Sequence, residues 1–260
     1  MRCFLLILCA LFFTNLRAQY AYFPTEGTIT YDKTFHVKNL MKRHLTTLKE
    51  GDFQRQALEQ FMDKAPDTFV AHQEHRFIGK KYSYEHVEED YPPLIQNLMN
   101  WGVLGYEVSS YTDLEEERYN GYFDFAGTPI LLEDSLLNVK WKITNEYREI
   151  AGYECRRANG IMLDSVYVVA FYTDQIPVSA GPGGAHGLPG AMLGFIVPEL
   201  HYNVYASKID VSPVTVKKDL GQRKRDQTQT RKEFYDKLKK TVGNYLEERQ
   251  YNLIMSMIFL

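Results

Sequence analysis

The chain has 260 residues, of which 45% are apolar, 24% charged and 14% aromatic. This composition is ordinary for a globular protein and excludes long intrinsic disorder, which requires low hydrophobicity and high net charge. The formal net charge of −3 provides no basic field for a nucleic-acid backbone, so we expect no nucleic-acid partner.

The first 18 residues have the order of a secretory signal peptide. Arg2 gives a positively charged start, an apolar run covers residues 4–13, and Ala18 is a small residue before Gln19. The run of about ten residues is half the length of a bilayer-spanning helix. We therefore expect cleavage after Ala18 and a mature chain without a transmembrane segment. The product would be a soluble exported protein, periplasmic or associated with the outer membrane.

The cysteines limit how the mature chain can be stabilised. Cleavage removes Cys3 and Cys9 and leaves Cys155, which cannot form a disulfide within the chain. Folding must therefore depend on an apolar core, and a chain of this length can form one as a single domain. We predict one β-rich domain over residues 19–260.

Hydrophobic spacing divides the N-terminal part of the chain into a strand followed by helices. Alternating side chains predict a strand over Gly27–Val37, with Tyr31 and Phe35 on one face. Apolar side chains at intervals of three and four predict one or two amphipathic helices over Asn39–Asp63, with a break at Gly51.

Most of the following segments have strand patterns. Alternation over Phe69–Glu88 predicts a hairpin that turns at Gly79, and a short helix is predicted over Leu94–Trp101. Regular short segments rich in aromatic and β-branched residues predict one large antiparallel sheet in an α+β, mainly β protein. These strands are Gly105–Thr112, Arg118–Phe125, Lys140–Glu146, Gly152–Asn159, Ser165–Tyr172, Leu193–Pro198 and His201–Asp210.

The composition changes again from residue 217. Residues 217–232 are basic and polar, and we interpret them, including Arg223–Arg225, as a solvated linker. Apolar side chains at helical spacing from Phe234 to Leu246 predict a C-terminal helix. The apolar end, Asn252–Leu260, is too short to span a membrane and is predicted to pack on the body of the domain.

Residues Gly181–Gly190, GPGGAHGLPG, form a segment that we name the Gly–Pro loop. Glycine permits backbone angles that other residues avoid and proline fixes one angle, so the segment predicts a tight, shaped loop. Such a loop between core strands can present backbone amides to a ligand or partner, or it can be a purely structural crossover. The lysine and hydroxyl of a phosphate-binding P-loop are both absent from the motif.

Two side-chain chemistries remain open. Cys155 lies between Glu154 and Arg156, so it could be a thiolate stabilised by cations, but a buried apolar thiol is the favoured interpretation. His186, inside the loop, is the candidate base for such a thiol, and with His201 it is a weak candidate metal ligand. No catalytic residue and no cofactor are assigned.

Two other histidines, His72 and His75, are three positions apart. On a strand, side chains three positions apart point to opposite faces, so these two cannot chelate one metal ion together. The pair is therefore not expected to form a metal site.

Three sequence blocks in a fixed order carry a family resemblance. They are WKITNEYREIAGYECRRA at Trp141–Ala158, VVAFYTDQIPVSAGP at Val168–Pro182 and GLPG at Gly187–Gly190. In these blocks the chain resembles the GLPGLI family of exported proteins, and its opening strand, with Gly27 and Tyr31, is similar to that family's start. The matching positions are Trp141, Ile150, Gly152, Tyr153, Cys155, Ala158, Tyr172, Thr173, Ile176, Pro177, Gly181, Pro182, Gly187, Leu188, Pro189 and Gly190.

The chain departs from the family pattern at two places. The name motif ends in Ala191-Met192 where the family usually has Leu-Ile, and Phe171 stands where the family usually has Trp. Both changes keep an apolar side chain, so we expect the fold to be unaffected. They could alter the shape of a pocket.

The resemblance implies a fold and a cellular localisation but no established activity. It implies a curved antiparallel sheet, a half-barrel around a helix, and export into a Gram-negative envelope, often beside TonB-dependent outer-membrane transporters. We expect a non-catalytic binding or accessory protein whose concave face holds an apolar ligand or a segment of an envelope partner. The alternative is a metal-binding protein or enzyme that uses His186 with Cys155 or His201. The expected binding rim consists of Trp141, Gly152, Tyr153, Cys155, Tyr172, Ile176, Pro177, Gly181, Pro182, His186, Gly187, Leu188, Pro189 and Gly190.

Overall fold

The computed structural model describes residues 23–220, 228–242 and 248–260. The predicted signal peptide, the cations at Arg223–Arg225, and Tyr245 and Leu246 of the predicted C-terminal helix lie outside these residues. The described chain is an α+β, mainly β protein built on one large curved sheet that is not closed, which confirms the predicted fold class.

The sheet has twelve strands in the spatial order β12-β6-β5-β4-β3-β2-β1-β11-β10-β9-β8-β7. Every pairing among the described strands is antiparallel except the contact of β12 with β6, which is parallel, so the predicted antiparallel sheet is mixed at one end. The strands are β1 (Glu26–Phe35), β2 (Phe69–Ile78), β3 (Lys81–His86), β4 (Ser109–Asp113), β5 (Arg118–Phe125), β6 (Thr128–Ser135), β7 (Lys140–Ile150), β8 (Tyr153–Met162), β9 (Val166–Thr173), β10 (Ala191–Val197), β11 (Tyr202–Asp210) and β12 (Thr228–Gln229).

The helices between the first two strands follow the sequence pattern closely. Helix α1 (Val37–Leu45) and helix α2 (Phe53–Phe61) are separated at Gly51, whose φ of +83° is readily adopted only by glycine. Asp52 caps α2, because its carboxylate accepts a hydrogen bond of 2.9 Å from the backbone N–H of Gln54. The predicted break at Gly51 is therefore confirmed.

The remaining helices are α3 (Pro93–Asn100), α4 (Arg231–Val242) and α5 (Glu248–Phe259). The prediction of one C-terminal helix was incomplete, because two helices occupy this end of the chain. The apolar end packs on the body as expected, since Ile258, Phe259 and Leu260 are buried.

The core lies on one face of the sheet, which we name the inner face. Along β1 every second residue is buried, and the buried set includes Ile29, Tyr31, Lys33 and Phe35. The main cluster joins this face to α1, α3 and the Gly–Pro loop, whereas a smaller cluster joins β5 and β6 to α4 and α5. Leu163 packs against both clusters and connects them.

Candidate functional site

The Gly–Pro loop follows β9 after residues 174–180, packs with the main cluster of the inner face and leads directly into β10. Most of it is buried, and Gly187 and Pro189 form its exposed corner. A Cβ added at Gly190 would lie 1.8 Å from the carbonyl oxygen of Thr173, so only glycine allows the loop to lie this close to the end of β9. The sequence prediction of a tightly shaped loop agrees with this geometry.

Neighbouring elements hold the loop in place. The Trp141 indole N–H donates a 2.7 Å hydrogen bond to the carbonyl oxygen of His186, which ties the loop to β7. The Gly187 N–H donates to the Ser179 hydroxyl at 2.8 Å, and the Ala191 N–H donates to the carbonyl oxygen of Ile176 at 2.9 Å. The loop is therefore an anchored part of the fold.

The other residues of the expected rim are distributed over a wider area. Cys155, Tyr172, Ile176, Gly181, Pro182, Leu188 and Gly190 are buried, Trp141, Tyr153 and His186 are half-buried, and Gly152, Pro177, Gly187 and Pro189 are exposed. Gly152 lies in the turn between β7 and β8, with a φ of +81°.

The Cys155 side chain has no exposed surface. Its thiol donates to the carbonyl oxygen of Tyr153 at 3.5 Å. Burial, with a further contribution from the neighbouring Glu154 carboxylate, raises the pKa of Cys155 to about 12. The environment matches the favoured interpretation of a small apolar side chain and disfavours a thiolate.

The two candidate metal histidines have different neighbours. His186 Nδ1 lies 3.2 Å from the carbonyl oxygen of Gly184. His201 lies in a left-handed turn, where its carbonyl oxygen accepts a 3.0 Å bond from the His36 N–H. Burial, and then the charge of Arg43, lowers the pKa of His201.

No hydrogen bond joins His186 to Cys155 or His201 in the described part of the chain. The described residues also contain no group of three or more His, Cys, Asp or Glu side chains that could hold a metal ion.

His72 and His75 point to opposite faces of β2, as predicted. The His72 side chain is 43% exposed, whereas His75 is 1% exposed and lies on the inner face. Both ring nitrogens of His75 lack a hydrogen-bond partner, and its ring packs 4.8 Å from the ring of Tyr82. Burial lowers the pKa of His75 to about 3, so this imidazole is neutral.

His75 belongs to a set of polar residues that crosses the inner face from β1 to β5. In the strand register His75 is opposite Tyr84, and Tyr84 is opposite Ser110. Two residues along β2, Gln73 is opposite His86. We name this set the inner polar row. Its members are Lys33, Gln73, His75, Tyr82, Tyr84, His86, Ser110, Thr112 and Tyr119.

A cavity opens on the inner polar row, and we name it the Lys33 cavity. Its volume is about 20 Å³, which is room for about one water molecule, and it opens to solvent. The polar row forms one wall, and Gly183 of the Gly–Pro loop and the end of α5 form another. The cavity is lined by Lys33, Gln73, Tyr84, His86, Tyr106, Val108, Ser110, Tyr119, Gly183, Met257, Ile258 and Leu260.

Lys33 is the charged group inside this cavity. It is 9% exposed, and its ammonium lies 4.2 Å from the centre of the Tyr202 ring and 5.2 Å from that of Phe35. Burial lowers the pKa of Lys33 to about 8, and the charge of Glu107 acts in the opposite direction. The ammonium is therefore mostly protonated at pH 7.

Sequence reasoning missed the inner polar row, although the alternation contains a signal for it. Lys33 has the same parity as Tyr31 and Phe35, which were predicted to share one face of the strand. Gln73 and His75 likewise share the parity of the buried residues of β2. A polar residue at an inward position of an alternating strand is the pattern that would have identified the row.

A family model described as a protein of unknown function (Porph_ging) matches residues 161–194, which include β9, the Gly–Pro loop and the start of β10. A search of curated proteins finds no match. The matched residues overlap the sequence blocks that carry the GLPGLI resemblance. The description of the family model assigns no function.

One solved structure, that of PNGF-II, is similar with a TM-score of 0.47 and 12% sequence identity. The similarity covers 82% of this chain and 32% of that one, so the chain spans about a third of its length. Separately, none of the helices among the described residues is long and apolar enough to cross a membrane.

Proposed function

We propose that this chain is an exported, non-catalytic binding protein of the GLPGLI type that holds a small ligand in the Lys33 cavity. The observation that carries the proposal is the cavity itself, which joins buried polar groups of the sheet to the Gly–Pro loop. A pocket with a few convergent polar groups among apolar and aromatic walls is the usual form of a small-molecule site. Gly183 connects the sequence motif to this pocket.

The non-catalytic part of the proposal is supported by the state of the candidate reactive groups. Cys155 is buried with a raised pKa, and His186 is bonded within its own loop. The inner polar row contains tyrosines and a neutral histidine whose pKa values burial has moved away from neutral pH. These tyrosines and this histidine are suited to holding a ligand rather than to proton transfer near pH 7, whereas Lys33, with a pKa of about 8, is assigned here the role of a cation that faces the ligand.

A small-molecule binding screen tests this proposal. The methyl groups of Met257 and Ile258 report on the cavity, and the probes are small neutral, cationic and anionic organic molecules followed by NMR. We expect at least one class to shift these signals saturably and to be recovered unchanged. Val108→Phe, which fills the cavity, should weaken binding at least tenfold, whereas Val211→Phe at an exposed site should not.

Two results of this screen would contradict the proposal. The first is that no compound class shifts the cavity signals, which would remove the binding site. The second is that a bound compound is recovered chemically altered, which would make the protein an enzyme.

The cellular localisation is proposed from the signal-peptide pattern and the family resemblance. We place the mature protein in the periplasm or at the outer membrane, with an envelope protein such as a TonB-dependent transporter as its partner. Fractionation of a Gram-negative host followed by N-terminal sequencing should give a mature chain that begins at Gln19. A chain in the cytoplasm that retains Arg2 would contradict this localisation, and failure to co-purify with outer-membrane protein would remove the transporter partner.

A further inference from the structure

We propose that the Lys33 cavity binds the carboxylate group of a small monoanionic organic acid, with the Lys33 ammonium as its counter-ion. This inference rests on the proposed function, because it assigns a chemical class to the ligand of the same cavity. It is carried by the position of Lys33, by the neutral donors around it and by the charge of the rim.

Lys33 is a buried cation without a bonded partner. The residue is 9% exposed, and the described residues provide its ammonium with no hydrogen-bond acceptor and no ion pair within 4 Å. Its close neighbours are the faces of two aromatic rings, Phe35 and Tyr202. An ammonium group has three donors, and burying a charge without a hydrogen-bonded partner is costly. An acceptor that enters the cavity would remove this cost.

Neutral hydrogen-bonding groups lie in the same cavity. The side-chain oxygen of Gln73 accepts a hydrogen bond from the Tyr84 hydroxyl, which directs the amide nitrogen of Gln73 toward His86, 3.3 Å from its Nδ1. The hydroxyls of Ser110 and Tyr119 line the neighbouring wall. A carboxylate has two oxygens that accept in several directions, so one oxygen can bind the ammonium while the other accepts from these groups.

The charge at the rim favours a single negative charge. The Glu107 carboxylate is half-exposed and lies 3.9 Å from His86 Nδ1, and its charge acts on Lys33. Burial lowers the pKa of His86 to about 3, with a smaller contribution from Lys33, so His86 adds no positive charge. Lys33 alone faces a ligand here, and a doubly charged phosphate would be repelled by Glu107 without a second cation to compensate.

The remaining wall suits a short hydrocarbon part. Met257, Ile258 and Leu260 provide apolar surface opposite the polar row, and Tyr106 adds an aromatic side chain. The enclosed volume of about 20 Å³ admits little more than a carboxylate group, so only a short hydrocarbon part can follow it, toward the open side of the cavity. A short aliphatic acid can place its carboxylate against the polar wall and its hydrocarbon part against the apolar wall.

The test compares acetate, propionate and butyrate with acetamide and propionamide, their neutral analogues, and with inorganic phosphate. Binding is followed by NMR at the cavity methyl groups and at the Lys33 side chain. We expect a carboxylate to bind at least tenfold more tightly than its amide and more tightly than phosphate. Binding should also raise the pKa of Lys33, because a bound anion favours the charged amine.

Two variants and one control assign the effect to Lys33. Lys33→Met should weaken acetate binding at least tenfold, while Lys208→Met on the outer face of the neighbouring strand β11 should leave it unchanged. Glu107→Gln removes the opposing charge at the rim and should strengthen acetate binding several-fold. This second variant keeps the test valid if Lys33→Met fails to fold.

The outcomes separate this inference from the proposed function. Equal binding of acetate and acetamide, tighter binding of phosphate, or unchanged binding in a folded Lys33→Met would overturn the carboxylate assignment. If neutral molecules bind the cavity and carboxylates do not, this inference fails and the proposed function stands. If nothing binds the cavity, both fail.

Discussion

At the scale of single residues, the inner face is defined by polar side chains in positions that usually carry apolar ones. Lys33, Gln73 and His75 occupy inward positions of β1 and β2, and each is at most 9% exposed. Buried polar groups without hydrogen-bond partners lower the free energy of unfolding, so each such group makes the folded protein less stable. We connect the cost at Lys33 to ligand binding in the Lys33 cavity, which His75 does not line.

The burial of His75 should make the free energy of unfolding depend on pH. Its pKa of about 3 in the folded chain lies below the ordinary 6.5, so between these values the unfolded chain binds a proton that the folded chain does not. Stability therefore falls as the pH falls from about 6.5 toward 3. His75→Phe keeps a ring and removes the titration, and should raise the free energy of unfolding at pH 5 by about 2 kcal/mol more than at pH 8.

Urea unfolding of both proteins across this pH range checks the prediction. At pH 8 the imidazole is neutral in both states, so the comparison there isolates the packing change and serves as the internal control. Parallel pH curves for the two proteins would show that His75 is not the group responsible.

Cys155 gives a second prediction at this scale. Because its thiol is buried and its pKa is raised to about 12, we expect iodoacetamide at pH 8 to leave it unmodified in the folded protein. The same reagent should modify it fully in denaturant, as measured by peptide mass spectrometry. Rapid modification of the folded protein would restore the thiol as a candidate nucleophile.

At the scale of elements, the Gly–Pro loop depends on close backbone approach. Gly190→Ala would place a methyl group against the carbonyl oxygen of Thr173, and that atom is fixed backbone. We expect a loss of about 3 kcal/mol in the free energy of unfolding. Gly79→Ala is the matched control: it carries the φ penalty of +56° but has open space around it, so about 1 kcal/mol is expected.

Denaturant unfolding of the two alanine variants distinguishes contact from backbone conformation. If both lose the same stability, the close approach at Gly190 is not what holds the loop against β9.

Local patterns predicted most elements, because strands and helices differ in their spacing of apolar side chains. They missed β6, whose sequence TPILLEDS contains an apolar run instead of an alternation, and β12, which has two residues. The parallel contact between them joins residues about a hundred positions apart, and no local pattern encodes such a contact. The motif residues of the candidate site could be read from sequence, whereas the Lys33 cavity requires five strands, two loops and a helix to be brought together.

At the scale of the whole molecule, the two apolar clusters raise the question of cooperativity. Leu163 packs against both, and the end of α5 contributes Leu260 to the larger cluster and Phe259 to the smaller one. We therefore predict a single unfolding transition for the chain, consistent with one domain over residues 19–260.

Truncation of one aromatic side chain tests this prediction. Phe259 is 2% exposed, and Phe259→Ala should lower the free energy of unfolding by about 3–5 kcal/mol while the transition stays single in calorimetry. Phe53→Ala, at a site that is 79% exposed, should change it by less than about 0.5 kcal/mol. Two resolved transitions in the Phe259 variant would show that the smaller cluster unfolds independently.

The two edges of the sheet differ in whether a further strand covers them. At one end the chain itself supplies the short strand β12, whereas at the other end none of the described strands pairs with the outer side of β7, which has 11 residues. A long bare edge invites other copies to add to it and grow into fibres. The register is irregular between Ile143 and Tyr147, and the strand carries the charges of Lys140, Lys142 and Arg148. Both features make a strand a poor template, so we expect a concentrated protein to resist aggregation along this edge.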